Sequence, residues 1–251
     1  MNTNSNTYTV IYTAIVVVIV AAVLAFVSQK LGPMQAANEK AETVSQILTA
    51  AQFGEKEHWQ EIGNAATVKF FEENIEGEAK VFSVSDLKAL NYKIKDGSIN
   101  ADELPVYSFS NGLSVLAIYG AGLWGPVWGY IALEGDLEHI VGAYFDHESE
   151  TPGLGGKIKD DPSFRAQFAG KKVIYGGEAP FSIVKGGAPE GKENAVDAIT
   201  GATMTSKGLD AAITNWLNAY EPEIADAQKV LNTLQTMVEQ SETAEEEPSN
   251  E

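Results

Sequence analysis

Three threonine hydroxyls stand close together in the segment from Asp197 to Asp210, which reads DAITGATMTSKGLD; they are Thr200, Thr203 and Thr205. The small residues Gly201 and Ala202 lie among them, and a helical pattern follows. The free N–H groups and partial positive charge of a helix N-terminus suit a phosphate group. The segment therefore predicts a site for a bulky phosphorylated ligand, with a threonine hydroxyl next to the phosphate.

A second interpretation of the same segment is a plain loop that leads into a capped helix. Ser206 is of a type that caps helices, and Gly208 just inside the helix leaves room for close approach of another backbone. Asp197, which opens the segment, is expected to hold the loop. Composition alone leaves both interpretations open.

A second segment, HESETPGLGGKI, runs from His147 to Ile158. Glu150 and Thr151 have polar side chains, and the residues that follow are small or apolar; they are Gly153, Leu154 and Gly155. A Pro-Gly turn is the ordinary interpretation of such a segment.

A third segment, GLWGPVWGYIAL, covers residues 122–133 and contains Trp124 and Trp128. Tryptophans in a strand-like pattern are commonly core residues, and this interpretation stays open beside a role of Trp124 at a ligand site.

The chain contains no cysteine, which excludes iron–sulfur clusters, thiolate zinc sites and disulfides. The histidines, His58, His139 and His147, show no metal-ligand spacing, so we expect no metal site. We assign no catalytic residue. Without cysteine, any redox role must use a bound organic cofactor or a non-thiolate metal site.

The 251-residue chain carries 17 basic and 35 acidic residues, giving a formal charge of −18. Nucleic-acid affinity rests on Lys and Arg at phosphates, so this balance excludes nucleic-acid binding.

Residues 8–27 read YTVIYTAIVVVIVAAVLAFV and contain no charge, proline or glycine. About twenty helical residues at about 1.5 Å each span the hydrocarbon core of a bilayer, so the segment predicts a transmembrane helix. A cleaved signal peptide is the alternative, but the basic leader and a clean cleavage site are missing. A buried helix of a soluble protein is a third possibility. Lys30, on the C-terminal flank, would weakly favour a cytoplasmic C-terminal part.

Beyond the apolar segment, residues 28–55 predict a juxtamembrane amphipathic helix, because Val44, Ile47, Leu48 and Ala51 recur at helical spacing. Strand-like patterns follow, with Asn111-Gly112 as a hairpin signal between two of them. They cover residues 80–84, 105–110, 113–119, 127–133, 139–145, 171–175 and 181–185.

After the threonine segment the pattern is helical again, and residues 241–251 predict an acidic disordered tail. We therefore predict an α+β protein. A short segment 1–7 and one transmembrane helix precede a single ligand-binding domain, residues 56–240, with an antiparallel-rich sheet and flanking helices.

The order of residues in the threonine segment resembles the flavinylation motif of the sodium-translocating NADH:quinone reductases and their relatives. That motif runs Asp, two variable residues, Ser or Thr, Gly, Ala, Thr, and is matched by Asp197, Thr200, Gly201, Ala202 and Thr203. The resemblance implies that Thr203 carries FMN through a phosphoester that a flavin transferase makes from FAD. It makes the domain an FMN-binding domain, with Thr205 and Ser206 beside the attachment point.

The other two segments support the resemblance. ETPGLGG resembles the loop that lines the flavin in this family. This resemblance implies that Glu150 and Thr151 hydrogen-bond the flavin and that the next residues lie against its ring; they are Gly153, Leu154 and Gly155. GLW…GY resembles a strand of the C subunit of the sodium-translocating NADH:quinone reductases. The resemblance implies an electron-transfer subunit between NADH and ubiquinone, coupled to Na⁺ export, in the bacterial inner membrane. It also implies a periplasmic FMN domain, against the weak charge signal, and partners among the other subunits of the complex. The alternatives are the G subunit of an Rnf-type ferredoxin:NAD oxidoreductase and a non-redox tethered scaffold.

Overall fold

The computed structural model describes residues 6–176 and 179–245. The helices are α1 (Asn6–Ala50), α2 (Lys56–Ile62), α3 (Asn64–Asn74), α4 (Val84–Asp96), α5 (Lys157–Asp160), α6 (Pro162–Ala166) and α7 (Thr203–Glu245). The strands are β1 (Val106–Ser108), β2 (Ser114–Ala121), β3 (Pro126–Leu133), β4 (Ile140–His147), β5 (Ser182–Val184) and β6 (Ala195–Asp197). The predicted α+β class is confirmed.

Helix α1 is continuous through the apolar segment and the predicted amphipathic helix, despite Pro33 inside it. Its apolar N-terminal part is exposed, whereas burial begins at Ala41 and, apart from the exposed Glu42, continues to the end of the helix. Within the described part of the chain, α1 alone is long and apolar enough to cross a membrane. It is a candidate membrane anchor whose C-terminal end belongs to the folded domain.

The central sheet has the order β1-β2-β3-β4, with every neighbouring pair antiparallel. Strands β5 and β6 form a separate parallel pair. Both faces of the sheet are covered, because α1 packs on β3 and β4 while α7 packs on β2, and the central strands are accordingly buried on both faces. The antiparallel-rich sheet predicted from the sequence is therefore present.

Helix α7 packs closely on β2 because a glycine on each element leaves no side chain between them. A Cβ atom on Gly208 would come within 2.1 Å of the Ala121 carbonyl oxygen. A Cβ on Gly120 would meet the Ala212 Cβ at 2.6 Å. Further along α7, the Tyr220 hydroxyl donates to the Pro105 carbonyl at 2.8 Å and so anchors the helix beside β1.

The strand predicted at residues 80–84 is wrong. Helix α4 begins at Val84, where Ser83 and Asp86 form a reciprocal capping box. The Ser83 hydroxyl accepts the Asp86 N–H, and the Asp86 carboxylate accepts the Ser83 N–H. The Ser-x-x-Asp spacing is a helix-start signal that outweighs the short β-like run before it.

The other strand predictions vary in outcome. The four segments from 105–110 to 139–145 become β1 to β4 with small boundary shifts, and 181–185 contains β5. Segment 171–175 is not a strand and makes only an isolated bridge, from Lys172 to His139. Strand β6 was not predicted, because its three residues follow the polar run Lys192 to Asn194 and extend into no longer β-like pattern, unlike β1 and β5.

Two predicted boundaries do not coincide with structural breaks. Helix α1 ends at Ala50 and its path shows no division between the anchor and the juxtamembrane part. Helix α7 continues to Glu245, so the first residues of the predicted disordered tail are helical, and residues 246–251 lie outside the described part.

One end of the sheet points toward the anchor. Gln46 of α1 contacts Asp146 of β4, whereas the backbone around Ala50 approaches Gly142. Helix α1 and β4 therefore run in opposite directions, and the His147 end of β4 lies on the anchor side. At about 1.5 Å per residue, Gln46 lies about 28 Å along the axis from Val27, the last residue of the apolar segment.

We expect Gly208→Ala to lower the stability of the domain by about 1–3 kcal/mol, because the new methyl group forces α7 away from β2. The measurement is the thermal unfolding of the full chain in detergent. Gly32→Ala is the matched control, since its Cβ would have no atom within 4 Å and alanine favours a helix. Equal melting temperatures for Gly208→Ala and the unsubstituted protein would contradict the close packing.

Candidate functional site

Glu150 lies in the second of the three segments singled out in the sequence, and its carboxyl group hydrogen-bonds residues of the other two. Glu150 is 4% exposed. Its Oε1 accepts the backbone N–H of Trp124 at 2.8 Å, and its Oε2 accepts the hydroxyl of Thr205 at 2.5 Å. The β2–β3 hairpin, the loop after β4 and the start of α7 thus meet at one buried side chain.

Two glycines leave the space that this carboxyl group fills. A Cβ on Gly122 would lie 2.5 Å from Glu150 Oε1. A Cβ on Gly155 would lie 2.4 Å from both Glu150 Oε2 and the Thr205 hydroxyl. Gly122 and Gly155 are therefore required by close approach to Glu150, and neither has the positive φ that a turn would demand of a glycine.

Helix α7 begins at Thr203, whose side chain is half-buried. Gly201 just before it has a φ of 84°, a left-handed conformation that favours glycine. The first N–H groups of a helix have no partner in a preceding turn, so those at Thr203 to Thr205 are available to a ligand. The threonine segment thus presents a hydroxyl and free N–H donors at one place.

The prediction that Ser206 caps this helix is wrong. Ser206 lies within the first turn of α7, where its N–H donates to the Ala202 carbonyl at 2.9 Å. Its hydroxyl instead accepts the N–H of Ile199 at 3.2 Å, which ties the helix to the loop before it. The position before the helix is occupied by Ala202, which is buried.

Large apolar side chains are exposed around the start of α7. They are Leu123 at 49%, Trp124 at 67%, Leu154 at 46% and Met204 at 55% exposed. The Leu154 side chain approaches Gly201, because a Cβ there would lie 3.1 Å from Leu154 Cδ2. Trp124 is therefore not a core residue, and these side chains offer an apolar surface beside Thr203.

Leu123 and Met204 were missed in the sequence. Their signal is weak, because each is an apolar residue next to a predicted site residue, and such residues are most often core. Trp128, for which core packing was an open interpretation, is half-buried, and its Nε1 donates to Gln46 Oε1 at 3.1 Å.

The remaining predicted site residues hold the loops. Asp197 is exposed, and its Oδ1 accepts the N–H of Ala188 at 2.7 Å. Thr200 is exposed. The Thr151 carbonyl accepts the N–H groups of Leu154 and Gly156, and Gly153, which lies between Thr151 and Leu154, has a φ of 74°. The ETPGLGG segment is thus a tight turn as well as a lining of the site.

Burial and hydrogen bonding shift the pKa of groups near α7 and β2. Burial raises the pKa of Asp210, an effect that the N–H of Ile183, donating at 2.6 Å, partly opposes. Burial also raises the pKa of Tyr119, with smaller contributions from Tyr92 and Glu148. Neither group contacts Thr203, so the shifts describe packing around the site.

His139, for which no metal-ligand spacing was seen, lies with Glu134 and Asp136 in a group whose potential ligand atoms are within 4.8 Å of one another. One oxygen of Asp136, Oδ1, already accepts the N–H groups of both Glu138 and His139 within the same turn. This turn joins β3 to β4 at the end of the sheet away from the anchor, so it is separate from the threonine site.

The geometry fits a phosphorylated, flat aromatic ligand. Thr203 offers an oxygen, the start of α7 offers N–H donors, and the exposed apolar side chains offer a surface for a ring. Within residues 6–176 and 179–245, no side chain hydrogen-bonds the Thr203 hydroxyl, so no built-in base activates it.

Comparison with known proteins agrees with this geometry. The sequence model of the FMN-binding domain family matches residues 122–218, which contain all three segments. The chain is 42% identical over 117 residues to a Vibrio vulnificus protein named as the C subunit of the Na(+)-translocating NADH-quinone reductase. That alignment covers 45% of this chain and 46% of the relative, so the chain spans about half the length of that relative.

A longer match is found with the protein of the same name from Haemophilus ducreyi, 30% identical over 203 residues, which cover 76% of this chain and 77% of the relative. Among solved structures, the C subunit from Parabacteroides distasonis superposes with a TM-score of 0.61 at 31% identity, covering 76% of this chain and 94% of that one. The names of these relatives do not favour the Rnf alternative.

The match to the FMN-binding domain family, the geometry of the threonine site and the match to relatives over most of their length all indicate the same family. The chain belongs to the family formed by the C subunits of the Na(+)-translocating NADH-quinone reductases.

Proposed function

We propose that this chain is a membrane-anchored electron-transfer subunit that carries one FMN covalently on Thr203. The observation that carries the proposal is the half-buried Thr203 hydroxyl at the start of α7, beside the Glu150–Trp124–Thr205 junction. FMN, when bound, supplies reversible uptake and release of electrons. The chain would act within a sodium-translocating NADH:quinone reductase, between NADH and ubiquinone.

The attachment step is a phosphoryl transfer with Thr203 as the acceptor. Its Oγ attacks the phosphorus on the FMN side of the FAD pyrophosphate, the P–O bond to the AMP part breaks, and AMP leaves. The hydroxyl proton is released with AMP, and no electrons are gained or lost. A flavin transferase would catalyse the step, because the described residues place no base on this hydroxyl.

The chain's own residues hold the group after attachment. The first N–H groups of α7 and the partial positive charge at its N-terminus stabilise a phosphodiester. The exposed side chains of Trp124, Leu154 and Met204 offer an apolar surface to the ring. Glu150 fixes the backbones that carry these side chains, so the ring is oriented by parts that are already in place.

The position of the site suits a partner in or at the membrane. The hairpin, the loop after β4 and the start of α7 all lie at the end of the sheet that points toward the apolar part of α1. We propose residues 8–27 as the anchor in the bacterial inner membrane, with the domain on the periplasmic side. An uncharged single helix offers no ion route, so sodium would cross through other subunits.

We expect Thr203→Ala to abolish covalent flavin when the protein is made with its flavin transferase. The reason is that the substitution removes the acceptor oxygen while leaving the α7–β2 packing untouched. Intact-protein mass spectrometry checks it, since the unsubstituted chain should gain the mass of one FMN less one water.

Thr203→Ser keeps an acceptor oxygen and is the matched control, expected to retain flavin. Flavin that stays on Thr203→Ala would show that another residue is the attachment point. An unsubstituted chain whose mass is that of its amino acids alone would contradict the proposed function itself.

We expect an external protease to remove the folded domain from intact spheroplasts, because the domain should face the periplasm. Immunoblotting of the protected fragments is the measurement, with detergent-permeabilised spheroplasts as the control for intrinsic cleavage. Protection of the domain in intact spheroplasts, with cleavage after permeabilisation, would place it in the cytoplasm.

A further inference from the structure

A continuous chain of hydrogen bonds runs from the anchor helix to the flavin-attachment helix. The Gln46 amide of α1 donates to Asp146 Oδ2 at 2.9 Å, and Asp146 Oδ1 accepts the N–H of His147 at 2.8 Å. His147 Nδ1 accepts the N–H of Glu150 at 3.1 Å, and Glu150 accepts the hydroxyl of Thr205 at 2.5 Å. Its ends, on α1 and α7, are far apart in the sequence.

The first link is buried and uses both sides of the glutamine amide. Gln46 is 3% and Asp146 is 3% exposed. While the Gln46 Nε2 donates to Asp146, its Oε1 accepts Trp128 Nε1 at 3.1 Å. Gln46 therefore joins α1 to β3 and β4 at once, and only a side chain with a donor and an acceptor does this.

The surroundings of Asp146 fix its orientation. The Lys159 ammonium lies 2.8 Å from Asp146 Oδ1 and 2.9 Å from Oδ2, so an ion pair satisfies the buried carboxylate together with Gln46. One turn earlier on α1, burial raises the pKa of Glu42, but the nearby Lys56 and Gln46 outweigh this and leave its pKa below the ordinary value. Gln46 is thus surrounded by partners that leave little freedom for another arrangement.

These contacts make α1 part of the site rather than only its tether. The loop that carries Glu150 is held by His147, and the strand end that carries His147 is held through Asp146 by Gln46. A packed chain of satisfied hydrogen bonds is stiff, because loosening one member leaves a buried polar group unpaired. A change at Gln46 should therefore reach the loops around Thr203.

We infer that Gln46 is a positioning residue for the flavin, which sets the arrangement of the flavin-lining loops relative to the membrane anchor. The inference rests on the proposed function, since it needs FMN on Thr203. Gln46 does not touch the flavin; it acts through Asp146, His147 and Glu150.

The test is a swap of the buried pair. Gln46→Glu replaces the amide donor by a second carboxylate facing Asp146, so the link should break. Adding Asp146→Asn restores a donor opposite an acceptor and keeps the net charge of the buried pair. The readout is the visible circular dichroism of the protein-bound flavin in the full chain in detergent, well below the melting temperature. A fixed asymmetric environment produces this signal, so loosened loops should reduce it.

We expect Gln46→Glu to lose most of the visible circular dichroism and the swapped double variant to regain it. Two controls lie on the same helix. Asn38→Asp changes an exposed amide that bonds Asn64, outside the chain of contacts, and should leave the signal intact. Leu48→Ala removes a fully buried apolar side chain, so it should lower the melting temperature without changing the signal.

Gln46→Met, which keeps the volume but has no amide, is the second variant if Gln46→Glu does not fold, and it too should lose the signal. Mass spectrometry first shows that each variant carries one FMN; its absence from the unsubstituted chain would refute the proposed function. With FMN present, an unchanged signal in Gln46→Glu or Gln46→Met overturns the inference, as does a signal that the swap fails to restore.

Discussion

The site depends on burying one carboxyl group, that of Glu150, between three separate pieces of chain. A buried polar group without partners is strongly unfavourable, so the fold must supply donors to both of its oxygens. The backbone of Trp124 and the hydroxyl of Thr205 do so. The same two bonds set the distance between the hairpin and the start of α7, and therefore the space in which a ligand on Thr203 would lie.

Several glycines follow from this constraint. Gly122 and Gly155 must lack a side chain because the Glu150 oxygens occupy that space. Thr205 reaches Glu150 only because α7 lies directly on β2, and Gly208 permits this by leaving room for the Ala121 carbonyl. Gly122, Gly155 and Gly208 belong to three different segments, but all three lack a side chain for the same reason, the close packing around Glu150 and the start of α7.

The sequence allowed prediction of features that arise from local patterns. The apolar helix, the strands β2 to β4 and the three segments that meet at Glu150 each have a period or a residue order that can be seen in a short window. Helix α4 was missed because its capping box was overlooked in favour of a short β-like run. The role of Ser206 was mistaken because a helix boundary shifted by a few residues turns a cap into an interior residue.

Contacts between residues that are far apart in the sequence could not be predicted from such local patterns. Gln46 and Asp146 are separated by 100 positions, and neither residue type by itself predicts a buried hydrogen-bonded pair. Only the antiparallel course of α1 and β4 brings them together, and that course also decides which end of the sheet faces the anchor. The location of the threonine site near the membrane side is therefore a consequence of topology. A flavin on Thr203 of α7 would be positioned indirectly by α1, the same helix that fixes its distance from the bilayer. This arrangement suits a cofactor that must meet partners in a membrane complex.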